Sequence, residues 1–186
     1  MYRTTRAGAQ QKLFDLPACA GDSLPQGLVY RPDFLTLGEE EVLLAYIQNA
    51  AMPHLQFGEH ESKRRGMSFE IDLPEFLQSL QGKIAKWLNV PRREINEAFV
   101  QEYPTGYGIG WHRDRETPLV IGISLAGWAR MRFRRLEDIG NAHAGVSFEV
   151  EPRSAYLMQG EVATRWQHSV APVEALRYSI TFRTII

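Results

Sequence analysis

Hydrophobic and polar positions along the chain change period once, near residue 95. Before that point, two stretches repeat at helical spacing. Val42, Leu43, Tyr46, Ile47 and Ala50 share one face of a predicted helix that starts after Thr36, with Thr36 and Glu39 at capping-box spacing. Phe76, Leu77, Leu80, Ile84, Trp87 and Leu88 form a second stripe. That helix is predicted to start at Asp72 with a D-x-x-E box closed by Glu75, and Pro74 fits its first turn, where a missing N–H costs nothing. Leu28 to Leu37 reads as a short strand and a turn. Residues 1–27 hold several turn formers (Gly8, Pro17, Gly21, Pro25, Gly27) and little periodicity, as in a loose arm. The stretch from Pro53 to Ile71, with Gly58, Gly66 and the run Lys63-Arg64-Arg65, reads as too irregular for core.

From Ile95 onward the period is two. Gln101 and Tyr103 alternate with Val100 and Glu102, Met131 and Phe133 with Arg130, Arg132 and Arg134, and Val146, Phe148 and Val150 with Ser147 and Glu149. Leu119 to Leu125 is a continuous apolar run, as in a strand buried on both faces. In the last strand Tyr178, Ile180 and Phe182 alternate with Arg177, Ser179, Thr181 and Arg183. Two helices followed by seven or eight strands predict an α+β fold, with the strands rolled into a barrel or a double-sheet jelly roll.

Composition narrows the picture. The 186 residues are 44% hydrophobic and 23% charged, which excludes a disordered chain and suits one domain, here residues 28–186. The net charge of −1 means that any polyanion site must be a local patch. Cys19 is the one cysteine, which excludes an intramolecular disulfide and a Cys-rich zinc site. The longest charge-free apolar stretch, Thr117 to Ala129, is shorter than the roughly 20 residues of a membrane helix. Arg3, Arg6 and Lys12 have no apolar segment behind them, so no secretory signal is read and a cytoplasmic monomer is expected.

Five histidines are available: His54, His60, His112, His143 and His168. His112 and Asp114 form an H-x-D pair after the turn Gly106-Tyr-Gly-Ile-Gly110, and residues two apart on an extended chain point the same way. Two histidines and one carboxylate on one face make the facial triad of non-haem Fe(II) oxygenases. His168, following a predicted strand over Ser154 to Met158 and a Gln-Gly turn, is placed to return as the third ligand. The polar face of the last strand has two readings, a solvated edge or a carboxylate clamp, since a guanidinium fork matches a carboxylate. Gln101 and Tyr103 could donate further hydrogen bonds to the same anion.

The run Gln101-Glu-Tyr-Pro-Thr-Gly-Tyr-Gly-Ile-Gly-Trp-His-Arg-Asp114, then Trp166-Gln-His168 and Arg177-Tyr-Ser-Ile-Thr-Phe-Arg183, resembles the AlkB family of Fe(II)/2-oxoglutarate dioxygenases. That family's pattern is N-x-Y-x-x-G, H-x-D, a distal His and R-x-x-x-x-x-R. The resemblance implies a double-stranded β-helix (jelly roll) buttressed by the N-terminal helices, with residues 53–71 in the place of a substrate-recognition lid. It implies Fe(II) on His112, Asp114 and His168, with 2-oxoglutarate and O2 as cosubstrates. Arg177 and Tyr103 would hold the distal carboxylate of 2-oxoglutarate, and Arg183 would lie near its metal-bound end. Gln101 and Ser179 stand where the family often has Asn, and each keeps a hydrogen-bonding group. Glu116 falls where the family often has an acidic residue facing the substrate base.

The activity so implied is oxidative removal of alkyl groups from bases of DNA or RNA, as in DNA repair. Trp111, Phe57 and Phe69 are candidates for stacking on a base. Lys63, Arg64 and Arg65 are candidates for phosphate contact, along with Arg92-Arg93, Arg113, Arg115 and the stripe Arg130/Arg132/Arg134 with Arg135. Two other functions fit the same residues: an oxygenase of another substrate (a tRNA, protein or lipid), or a non-catalytic jelly roll that only holds a metal.

Overall fold

The computed structural model describes residues 24–57, 60–114, 117, 119–141 and 144–184. Most of the expected N-terminal arm therefore lies outside the described residues. Eleven strands are described: β1 (Leu28–Arg31), β2 (His54–Phe57), β3 (His60–Glu70), β4 (Glu97–Tyr103), β5 (Ile109–His112), β6 (Leu119–Leu125), β7 (Ala129–Arg135), β8 (Val146–Val150), β9 (Ala155–Gln159), β10 (Trp166–Val170) and β11 (Arg177–Arg183). Three helices accompany them: α1 (Leu37–Asn49), α2 (Glu75–Leu88) and the short α3 (Glu161–Arg165).

The strands form a seven-stranded sheet in the order β1-β9-β6-β11-β4-β3-β2 and a four-stranded sheet in the order β5-β10-β7-β8. The major sheet has two differently furnished faces. Its outer face, with Ala98, Val100, Ile121, Ile123, Tyr178, Ile180 and Phe182, packs on Leu43 and Ile47 of α1 and on Leu77, Leu80, Ile84 and Leu88 of α2. Its inner face meets the minor sheet through Tyr103, Val120, Tyr156 and Met158 against Met131, Phe133 and Val170. The period-two alternation of β11 thus has a physical reading: the apolar half faces the helices, and Arg177, Ser179, Thr181 and Arg183 face the space between the sheets. This is the expected jelly roll buttressed by N-terminal helices.

Both helices depart from the expected detail. The Thr36–Glu39 capping box of α1 forms, and Glu39 also takes Lys83 of α2 at 2.7 Å. Val42 and Tyr46, expected in the buried stripe, are exposed, and Glu40 is buried instead. Glu40 accepts hydrogen bonds from the Ala126 N–H at 2.8 Å and from Arg153 at 3.1 Å, two residues in the left-handed backbone region. The side chain therefore braces two strained turns, which satisfies the charge that burial would otherwise penalise. The Asp72 box does not form: α2 starts after Pro74, which caps it without a side-chain hydrogen bond. A residue before proline is pushed out of the helical region, so Leu73 cannot begin the helix.

The stretch over 53–71 is also more regular than expected. β2 and β3 make a hairpin, and the eleven-residue β3 adds to the major sheet beside β4, with Gly66 opposite Gln101. Phe69, a stacking candidate, packs edge-on against Phe76 at 6.1 Å, and it joins the helix-side core.

Candidate active site

β5 and β10 run antiparallel in the minor sheet, with His112 and His168 directly opposed and their ring centroids 4.3 Å apart. Asp114 is not on a strand, as alternation suggested; it follows the end of β5, and the chain turns it back beside His168. One ligand atom from each of the three lies within 4.8 Å of the others, close enough to hold one metal ion. The Nδ1 of His112 is 2.8 Å from the Gly110 carbonyl, which can only accept. Nδ1 therefore carries the proton, and Nε2 is free to act as a ligand. Burial pushes His168 down to about 4 although Asp114 pulls it up, so the imidazole is neutral near pH 7. Burial works against the Asp114 carboxylate too, but His168, Arg183 and His112 together hold its carboxyl below the usual range. Neutral imidazoles and an ionised carboxylate are the states that bind a metal.

Arg183, at the end of β11, pairs with Asp114 and with Glu97 of β4, the second contact at 3.2 Å. Six residues earlier, Arg177 is 1% exposed and lies over the Tyr103 ring at 4.9 Å. Its Nε donates to the Ser124 hydroxyl at 3.1 Å, and its buried Nη1 has no partner among the described residues. Tyr103 donates to the Gln101 amide oxygen at 2.5 Å, and Ser179 stands opposite both Gln101 and Ser124. One cavity between the sheets is lined by Gln101, Tyr103, His112, Asp114, His168, Arg177, Ser179 and Arg183. Eight expected site residues therefore converge. The donor set fits a metal ion, and a buried guanidinium with a free donor fits a carboxylate beside it.

The substrate candidates do not converge. Trp111 alternates with His112 to the outer face of the minor sheet, where the Arg132 and Arg134 guanidinium groups stack on its ring at 5.3 and 4.4 Å. The run Lys63-Arg64-Arg65 is not one surface, because β3 sends neighbours to opposite faces. Lys63 is exposed, Arg64 is buried 5.5 Å from the Tyr103 ring, and Arg65 is paired with Glu102 at 2.6 Å. Of the stripe on β7, Arg130 pairs with Glu149, while Arg132 and Arg134 bond to Ser169 and Gln167. Glu116 and Arg115 lie outside the described residues, as does the side chain of Phe57. Sequence reasoning missed Glu97, Ser124 and Tyr156. Ser124 carried a legible signal, as the one polar side chain in an otherwise apolar strand.

Residues 44–183 match the family described as the 2OG-Fe(II) oxygenase superfamily, and the chain belongs to that superfamily. It uses Fe(II), 2-oxoglutarate and O2. It is 26% identical to the Arabidopsis thaliana protein named alkylated DNA repair protein ALKBH8 homolog, over 77% of this chain and 50% of that one. The chain thus spans about half the length of that curated relative. In fold it is similar to the structure of OsALKBH1, with a TM-score of 0.68 and 13% identity, covering 88% of this chain and 100% of that one. It is also similar to a Pseudomonas putida prolyl-4-hydroxylase, with a TM-score of 0.62 and 14% identity, covering 86% and 93%. Among the described residues no helix is long and apolar enough to cross a membrane.

Proposed function

We propose that this oxygenase removes alkyl groups oxidatively from nucleic acid bases, acting on DNA or RNA. His112, Asp114 and His168 would hold Fe(II), and Arg177 with Tyr103 would hold the distal carboxylate of 2-oxoglutarate. Gln101 and Ser179 would complete that end of the cavity, and Arg183 would orient Asp114 near the metal-bound end. Iron with 2-oxoglutarate and O2 supplies the oxidising chemistry, which hydroxylates a carbon attached to a base nitrogen. The protein's part is position: Gly110 fixes the His112 tautomer, Arg183 and Glu97 steer the Asp114 carboxylate, and Arg177 fixes the reach of the cosubstrate.

The observation that carries the nucleic-acid part is the pair Arg132 and Arg134. Both are preorganised on Trp111 by stacking, both bond only to neutral acceptors, and neither pairs with a carboxylate among the described residues. Arg113, exposed beside Asp114, adds a third cation toward the metal end. Such a face suits a phosphate backbone. It takes over the role expected of Lys63-Arg64-Arg65, of which Lys63 alone is an exposed cation without an ion-pair partner among the described residues. The name of the Arabidopsis relative points the same way.

The test is mass spectrometry of alkylated DNA and RNA oligonucleotides after incubation with Fe(II), ascorbate and 2-oxoglutarate. Loss of the alkyl group with matching succinate formation is the expected result. Succinate formation with proline-containing peptides, and none stimulated by any oligonucleotide, would replace this substrate with a protein one.

A further inference from the structure

Tyr156 lines the same cavity, and no role assigned above uses it. It stands on β9 opposite Gly122 of β6, which stands opposite Thr181 of β11. Its phenol crosses directly over Gly122: a Cβ at that position would lie 1.9 Å from Cζ and 2.3 Å from the hydroxyl oxygen. Any side chain there would occupy the space of the ring, so a glycine is what admits it. Ser124 is the next inner-face position of β6, and its hydroxyl holds the Arg177 Nε at 3.1 Å. Same-face neighbours on a strand are about 6.5–7 Å apart, so phenol and guanidinium sit side by side along β6. Neither satisfies the other. Arg177 Nη1 has no partner among the described residues, and the Tyr156 hydroxyl has no hydrogen bond to any of them. Burial pushes the Tyr156 hydroxyl well above its usual range, so it remains a proton donor at any ordinary pH.

We propose that Tyr156 is a binding residue for the distal carboxylate of 2-oxoglutarate, donating to the carboxylate that Arg177 grips, and that Gly122 is the notch that lets its hydroxyl reach there. A carboxylate offers about four acceptor positions, more than one guanidinium fork can use. Two unpartnered donors side by side in a buried cavity are satisfied together by one such anion. The proposal rests on Arg177 as the anchor.

The experiment is anaerobic calorimetry of the Mn(II)-loaded protein with two probes. These are 2-oxoglutarate and 2-oxobutyrate, which keeps the keto acid and lacks the distal carboxylate. Tyr156→Phe is expected to raise the Kd for 2-oxoglutarate about tenfold, the usual scale for a hydrogen bond to a charged group. It should leave 2-oxobutyrate affinity, Mn(II) affinity and Tm unchanged. Gly122→Ala should show the same selective loss, because its methyl displaces the phenol; if that variant does not fold, Tyr156→Phe decides. A Kd within twofold of wild type, or equal weakening of both acids, overturns the proposal. Arg177→Lys separates the two claims: if it binds 2-oxoglutarate normally, the anchor assignment fails and takes the Tyr156 role with it. If Arg177→Lys is defective and Tyr156→Phe is normal, only Tyr156 is misassigned.

Discussion

The two ends of the polar face of β11 carry the same side chain in opposite electrostatic settings. Arg183 meets two carboxylates, Glu97 across the β4 pairing and Asp114 at the metal-ligand cluster. Arg177, more deeply buried, meets an aromatic face and a serine hydroxyl, with no carboxylate among the described residues. The first end is compensated by the protein's own charges. The second is not, and an uncompensated buried cation costs several kcal/mol until an anion reaches it. Under the proposed function, the first end would hold a ligand residue in place, and the second would take an anion from solution.

Breaking the compensated end at its centre has the largest effect expected. Asp114→Ala should weaken Fe(II) binding by more than about 100-fold, the upper range for changes that only touch a ligand's neighbours, and should abolish succinate formation. Metal titration followed by a turnover assay checks this; full turnover would mean that Asp114 is no ligand. At the uncompensated end, Arg177→Lys should raise the Kd for 2-oxoglutarate about 10- to 100-fold while iron affinity holds, since a point charge replaces a planar fork. Calorimetry with the Mn(II)-loaded protein reads that difference.

Glu97→Gln sharpens the contrast. With its second carboxylate neutralised, Arg183 pulls harder on Asp114, so iron affinity should fall by about tenfold with 2-oxoglutarate contacts at Arg177 untouched. Equal iron affinity in wild type and variant would confine Glu97 to a packing role.

The smallest effect concerns the Glu102–Arg65 pair, on the face of β4 away from the site. Arg65 beside it holds the Glu102 carboxyl below its usual range. A depressed folded-state pKa means that the pair stabilises the fold above the unfolded-state pKa, and that this is lost as pH falls through the folded value. Because Arg65 is 42% exposed, the contribution is screened to roughly 0.5–1 kcal/mol. Glu102→Gln should therefore lower the Tm slightly at neutral pH, and the gap should close in acid; a pH-independent gap would trace the loss to packing.

Much of the site was legible because strand alternation is a strict rule. Once Tyr178, Ile180 and Phe182 are assigned to a core, Arg177, Ser179, Thr181 and Arg183 must face the other way. The same rule, followed further, would have separated Arg64 from Lys63 and Arg65, and Trp111 from His112. Lys63, Arg64 and Arg65 can share one surface only if residues 53–71 are irregular, and as strand β3 they cannot; in β5 the alternation that turns His112 inward turns Trp111 outward.

By itself the sequence determined the chemistry of the centre: the H-x-D pair, a returning histidine and an arginine at each end of one strand face. Local spacing by itself leaves the polar face of the last strand open between a solvated edge and a carboxylate clamp; the resemblance carried by those motifs is what implies a metal and a dicarboxylate there. Tertiary structure alone decided what stands around those donors. Glu97 meets Arg183, Ser124 meets Arg177, and Tyr156 crosses Gly122 only because β4, β6, β9 and β11 lie in register within one sheet. Register depends on pairing between distant segments, and one chain read in order does not contain it.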